Sequence, residues 1–580
     1  MRSDVIPTLT LSAAKRKGRE LCRRAVRNSH CRTPRSQRSL PFRFAALSVR
    51  VGMTVALLAS CATQKPLLDL KIINGRIIDG TGAPWFRGDV GIRGDTIVAV
   101  GDLSAASATT TVDARDQIIS PGFIDLLGQS QSAVLTDPHL EAKVRQGVTT
   151  EVTGEGFSPG PSATGPWKTL ADYFAALEKQ GTAINFALFV GASNPREMVI
   201  GNINRPPTAD EMRQMEAIVD QAMREGAIGV STSLIYLPAM YSTTEEIINL
   251  AKVAAKYGGV YFSHIRDEAD KIDSALDELF RIGREARIPV NVWHMKVSQP
   301  VNWGRMPHVI DRINEARAEG IDVAANAYPY IASSTSLSTV APDWALEGGY
   351  SEFQKRLADP EQRAKIADWI HDEVVRRRDR GIYVGRIANP ALAQYEKKFI
   401  EQIAVEMGTT PEEALMKLFS ETPSSPSVIF FSMSEPDVQY ALKQPWVSIG
   451  SDSGSPTPQA RATAAPAHPR AYGTFPRVLG HYVRDEKLFT LEEAVRKMTS
   501  QAADRVQLTD RGVIRPGMKA DLVVFDPMRI RDVATYEDPH HFSDGIIDVI
   551  VNGIPVVKEE QMTDALPGKV LRGRGFIGKR

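Results

Sequence analysis

Two hydrophobic patterns alternate along most of this chain. Short β-prone runs occur at 122–126, 149–153, 185–190, 228–231, 260–264, 290–294, 322–328 and 447–452. Between most of them, as at 209–225 and 243–256, apolar residues recur at helical spacing with charges between. One unit is legible in detail. Val260-Tyr261-Phe262-Ser263 follows a glycine pair and ends at His264. Ile272, Ala275, Leu276, Leu279, Phe280 and Ile282 then mark one helix face, and Pro289-Val290-Asn291-Val292-Trp293 leads to His294. The two histidines stand 30 residues apart, about the length of one βαβ unit. Alternation of this kind predicts a parallel sheet, and eight repeats predict a closed (β/α)8 barrel of TIM type. Residues at the C-terminal strand ends then face the edge where such barrels do chemistry.

The flanks read differently. Strand runs separated by Asn74-Gly75, Gly80-Thr81-Gly82 and Gly94-Asp95 fill 67–103, and further runs lie at 512–525 and 548–553. This predicts a small β-sandwich built from both ends of the mature chain, 66–120 and 506–565, around a barrel at 121–505. The rhythm breaks at about 351–427, where charged helical stretches read as an insertion after the seventh strand. Long insertions of this kind often cover active sites.

Composition is globular: 580 residues, 43% hydrophobic and 24% charged. A net charge of +1 gives no reason to expect nucleic acid. The basic excess is local, in an Arg-rich stretch at 1–50. The cysteines are Cys22, Cys31 and Cys61, so the body beyond residue 61 has no disulfide framework and no cysteine ligand or nucleophile. Residues 1–60 read as a disordered extension, or sequence upstream of the true start, followed by a signal-type segment. Arg50 precedes an apolar run at 51–59, too short for a comfortable transmembrane helix. Leu58-Ala59-Ser60-Cys61 resembles the lipobox of bacterial lipoproteins. That resemblance implies a mature chain anchored by lipid at Cys61 on the periplasmic side of a bacterial envelope. The alternative is a chance apolar patch in a disordered tail.

Two imidazoles on adjacent strand ends can share one metal ion. Taken singly, either histidine reads equally as a helix cap or a core residue.

The phrases, in order, resemble the amidohydrolase superfamily, and within it the D-aminoacylases, which deacylate N-acyl-D-amino acids. They are Pro121-Gly122-Phe123-Ile124-Asp125, Gln146-Gly147-Val148-Thr149-Thr150, Gly226-Ala227-Ile228-Gly229-Val230-Ser231-Thr232, His264-Ile265-Arg266-Asp267-Glu268, His294-Met295-Lys296, Tyr328-Pro329-Tyr330, Gly450-Ser451-Asp452 and His468-Pro469-Arg470. The likeness runs from about 68 to 560. It implies zinc-assisted amide hydrolysis, with Asp452 at the eighth strand end as the proton-transferring base; the alternative for Asp452 is a turn residue. Two departures matter. The family's His-x-His falls on Leu127 and Gln129, so one of two usual metal positions is expected to be lost. The family's ligating Cys falls on Glu155, between Gly154 and Gly156. A carboxylate is a legitimate zinc ligand, which leaves Glu155, His264 and His294 as one complete site for one zinc ion. The alternative for Glu155 is a plain loop carboxylate. The resemblance also implies that Lys296, Tyr328, Ser334 and Arg470 hold the carboxylate of a small N-acyl amino acid. Lys296 reads otherwise as a rim lysine, and Arg470 as the partner of an aspartate.

The expected function is metal-dependent hydrolysis of a linear amide, an N-acyl-D-amino acid. Two other readings stay open. One is another amidohydrolase, a cyclic amidase or a dipeptidase-like enzyme. The other is an envelope binding protein on a barrel that has lost catalysis.

Overall fold

The computed structural model describes residues 67–377 and 381–578. The signal-type segment, with Cys61, lies outside them. Among the described residues eight parallel strands form the barrel. They are β1 Phe123–Asp125, β2 Val148–Thr153, β3 Asn185–Leu188 continuing as Val190–Gly191, β4 Gly229–Ser233, β5 Val260–His264, β6 Val290–Val292, β7 Val323–Ala327 and β8 Val447–Ile449. Parallel pairing runs from β1 through β2 to Asn185–Leu188, and from Val190–Gly191 through β4, β5, β6 and β7 to β8. The ring closes just past the strand ends. There Asp452 N donates to Leu127 O at 2.8 Å, and Gly128 bridges Ser453.

Successive side chains of a strand point to opposite faces. In β5, Val260 and Phe262 therefore fill the barrel interior with Ile124, Val152, Phe189 and Trp293, while Tyr261 joins the core under the helices. Strands buried on both faces favour apolar residues, as in Val260-Tyr261-Phe262, but β2 also buries Thr149, Thr150 and Glu151, and β4 buries Ser231 and Thr232. The helix Ile272–Ala286 buries Ile272, Ala275, Leu276, Leu279, Phe280 and Ile282, the face that the spacing predicts.

Both chain ends meet in one nine-stranded sheet. Leu68–Ile77 is its branch point, pairing with Phe86–Arg93, Ala108–Asp113 and Ile118–Pro121. The C-terminal strand Leu522–Phe525 pairs antiparallel with Ile118–Pro121. Its alternate residues serve two cores: Leu522 and Val524 pack with Ile72 and Val90, and Val523 and Phe525 with the barrel's outer core. The N- and C-terminal strands are thus continuous by hydrogen bonding through Ile118–Pro121 and Leu522–Phe525. Beyond residue 565 the chain runs along the N-terminal ends of the barrel strands. Phe186 N donates to Lys569 O, Leu571 N to Phe186 O and Gly573 N to Gly226 O.

After β7 the chain leaves the barrel. Ser333–Ser336, Ile382–Val384, Lys398–Phe399 and Ser427–Phe430 form an antiparallel sheet. Helices cover it, around a core that includes Leu337, Phe353, Ile366, Leu415 and Phe419. This unit opens at Ser333, ahead of the charged stretches that announce it. Ser333-Ser334-Thr335-Ser336 has no apolar alternation and is a strand through its pairing with Ser427–Phe430.

Candidate active site

Three elements bring the ligand-type residues together. Glu155 stands two residues past β2, after Gly154 at φ +100°, where a Cβ would come 2.8 Å from Phe189 O. His264 is the last residue of β5. His294 lies two residues past β6 at φ 36° and donates its backbone N–H to Asn326 Oδ1 at 3.0 Å. A non-glycine residue holds that conformation only where its surroundings fix it. Glu155 Oε1 lies 3.0 Å from His294 Nε2 and 3.3 Å from His264 Nδ1. The two rings are 4.4 Å apart at 77°. One ligand atom from each of the three residues lies within 4.8 Å of the others.

Behind the histidines stands Glu268, which the sequence does not single out. Its Oε1 is 3.0 Å from His294 Nδ1, and its Oε2 is 3.7 Å from His264 Nε2. That His264 nitrogen is buried and has no hydrogen-bond partner among the described residues. Burial works against the Glu155 carboxylate, but hydrogen bonds to His264 and His294 hold it well below the usual range. Burial opposes the charged form of Glu268 too, and the Lys296 ammonium with both histidines outweighs it. His294 goes the other way. Burial and Lys296 pull it down, yet Asp452, Glu268 and Glu155 hold its imidazole up at about 9. Two imidazoles and one carboxylate converging in a buried spot are a donor set that suits zinc.

Leu127 is fully buried in the barrel interior and offers no ligand. Gln129 reaches the cleft, and its Nε2 donates to Glu155 Oε2 at 2.9 Å and to Asp452 Oδ1 at 3.0 Å. Two carboxylates facing one amide fix which end is nitrogen. Asp452 sits at φ 51° and pairs with Arg470, Nη1 to Oδ2, at 2.8 Å.

The other expected binding residues also come together. The Arg470 guanidinium lies 4.6 Å from the Tyr328 ring centre, and Lys296 Nζ 5.7 Å from it. Arg470 Nη2 donates to the backbone O of Ser334 at 3.3 Å. Lys296 Nζ is engaged by Glu268 Oε1 at 2.7 Å and His294 Nδ1 at 2.6 Å. The Tyr328 hydroxyl and Arg470 Nε are buried donors without a hydrogen-bond partner among the described residues. Tyr236, also absent from the sequence reading, stands edge-on to His264 at 5.6 Å. A cleft of about 680 Å³ opens over Glu155, His264, His294 and Asp452. Trp369, Arg377 and Phe430 of the inserted unit line its far side.

Comparison with known proteins follows the same lines. The sequence model described as "Amidohydrolase family" matches residues 110–557. A D-aminoacylase from Alcaligenes xylosoxydans xylosoxydans is 38% identical over 519 residues, 87% of this chain and 97% of that protein. An N-acyl-D-glutamate deacylase from the same organism is 36% identical over 520 residues, 87% of this chain and 96% of its own. The solved structure of N-acyl-D-glutamate deacylase from Bordetella bronchiseptica, complexed with zinc and a phosphonate mimic of the tetrahedral intermediate, superposes with a TM-score of 0.75. It shares 34% identity and covers 87% of this chain and 100% of that one.

Proposed function

This chain belongs to the amidohydrolase family, and from that premise we propose the reaction and the residues that perform it. The protein is a metal-dependent hydrolase of linear amides that converts N-acyl-D-amino acids to the D-amino acid and a carboxylate. The observation that carries the assignment is the convergence of Glu155, His264 and His294 within 4.8 Å beneath the cleft, with Gln129 linking Glu155 to Asp452.

Glu155, His264 and His294 would hold one zinc ion. The chemistry zinc supplies when bound is polarisation of the scissile carbonyl and acidification of the attacking water. Asp452 takes the proton from that water and delivers it to the leaving nitrogen. Tyr328 and Arg470, with donors still free, bind the substrate carboxylate beside Lys296. A cyclic amide without a carboxylate would leave those buried donors unpaired, which favours the linear substrate. Gln129 occupies the space between Glu155 and Asp452 with a neutral donor, and Leu127 is apolar; both support a single ion.

We also place the protein in the cell envelope, held at Cys61 through the Leu58-Ala59-Ser60-Cys61 phrase. No helix among the described residues is long and apolar enough to cross a membrane.

The test is zinc content per chain on purified protein, with turnover measured on matched N-acyl-D- and N-acyl-L-amino acids. One zinc and D-selective turnover are expected. No zinc after reconstitution together with no turnover would favour a binding protein instead. Fatty-acid labelling that survives in Cys61→Ser would sink the anchor.

A further inference from the structure

Lys143 is fully buried, and no step above uses it. It lies on the short helix Glu141–Val144, behind the ends of β1, β2 and β8. Its ammonium has three N–H donors, and three acceptors meet them: Asp125 Oδ2 at 2.7 Å, Ser451 Oγ at 2.7 Å and Ser453 O at 2.6 Å. Asp125 completes the frame by accepting from Ser451 N at 2.8 Å and Ser451 Oγ at 2.6 Å. Glu151 Oε2 is 3.6 Å from the ammonium, and that carboxylate is occupied by Ser130 N and Oγ at 2.7 and 2.8 Å.

The two serines flank Asp452, so the Lys143–Asp125 pair holds the chain on both sides of the residue at φ 51°: Asp125 accepts from the Ser451 backbone N–H, and the ammonium donates to the Ser451 hydroxyl and the Ser453 carbonyl. A buried ion cluster is a poor way to gain stability, because apolar packing of the same volume often does better. It is a good way to fix geometry. We propose that Lys143, neutralised by Asp125, is a positioning residue that holds Asp452 in its left-handed conformation, with its carboxylate at Gln129 and Arg470. The proposal rests on the reading of Asp452 as the base.

Removing Lys143 alone would strand its 2.7 Å partner Asp125 in the interior, whereas the Glu151 carboxylate keeps its two hydrogen bonds from Ser130. The test therefore uses the charge-balanced Asp125→Asn/Lys143→Met full-length chain, with Ser451→Ala as a milder variant that keeps the Lys143–Asp125 pair. Both are expected to unfold cooperatively and to hold the wild-type amount of zinc. KM for an N-acetyl-D-amino acid should stay within about twofold, while kcat falls about 100-fold in the double variant and about tenfold in Ser451→Ala. Each change is then repeated with Asp452→Asn. A clamp that acts through Asp452 adds no further loss there, whereas a general loosening of the barrel would multiply with it. Wild-type kcat in folded, zinc-loaded Ser451→Ala, beside a slow Asp452→Asn, overturns the clamp alone. Wild-type kcat in Asp452→Asn overturns the base assignment and the clamp with it. If the double variant does not fold, Ser451→Ala decides.

Discussion

Arg470 Nη1 and Asp452 Oδ2 form an ion pair 2.8 Å long. One guanidinium therefore serves two anions in the proposed reaction, the substrate carboxylate and the base. Its planar fork suits that task, and a lysine ammonium does not reproduce it. Arg470→Lys should lower kcat/KM by about 10- to 100-fold, the scale of one hydrogen bond to a charged group. Zinc content should not change. Steady-state kinetics beside metal analysis checks this, and an unaltered KM would remove Arg470 from carboxylate binding.

Glu155 is a ligand in this reading rather than a loop carboxylate. Glu155→Ala should leave the two histidines unable to retain zinc through gel filtration. Glu155→Cys should retain it, because a thiolate is also a good zinc ligand. Cobalt substitution of the cysteine variant should give a thiolate charge-transfer band. Full zinc retention by Glu155→Ala would exclude the three-residue site.

Glu268 faces the far nitrogens of both histidines. Carboxylates in that position orient a metal-bound imidazole, and losing one typically weakens metal binding by about 10- to 100-fold. Glu268→Gln should show that loss in a chelator competition. Unchanged zinc affinity would confine Glu268 to pairing with Lys296.

Zinc uptake should also depend on pH. The His294 imidazole is held at about 9 by Asp452, Glu268 and Glu155, against burial and Lys296. Below that value the zinc-free site carries a proton that zinc must displace. Apparent affinity should then strengthen as pH rises from 6 towards 9, about tenfold per unit for one proton. Calorimetry in buffers of different ionisation enthalpy should find about one proton released per zinc at pH 7. Heats that do not depend on the buffer would contradict this.

The barrel is legible in the chain because short β-prone runs, apolar as in Val260-Tyr261-Phe262 or rich in buried Thr and Ser as in Val148–Thr153 and Gly229–Ser233, stand between helices with one apolar stripe. His264 and His294 are legible because they end two consecutive runs. Ser333–Ser336 is not, since its strand character comes from a partner about 90 residues away. Glu268 is one charge in a charged loop, and it gains meaning only when Lys296 and both histidines close around it. Gln129 is visible as a lost histidine, but its two hydrogen bonds join residues from the second and eighth strand ends. Lys143 sits in a helix too short to show a face.

The sheet shared by the two ends also sets a timetable. Ile118–Pro121 is made early, but its antiparallel partner Leu522–Phe525 leaves the ribosome roughly 400 residues later, which at ordinary synthesis rates is about 20 to 80 s. Throughout that interval the strand Ile118-Ile119-Ser120-Pro121 keeps an open edge of the kind that recruits stray strands. An emerging chain of this design carries that unpaired edge until Leu522–Phe525 is made, so its front sheet is completed only by residues near the far end of the chain.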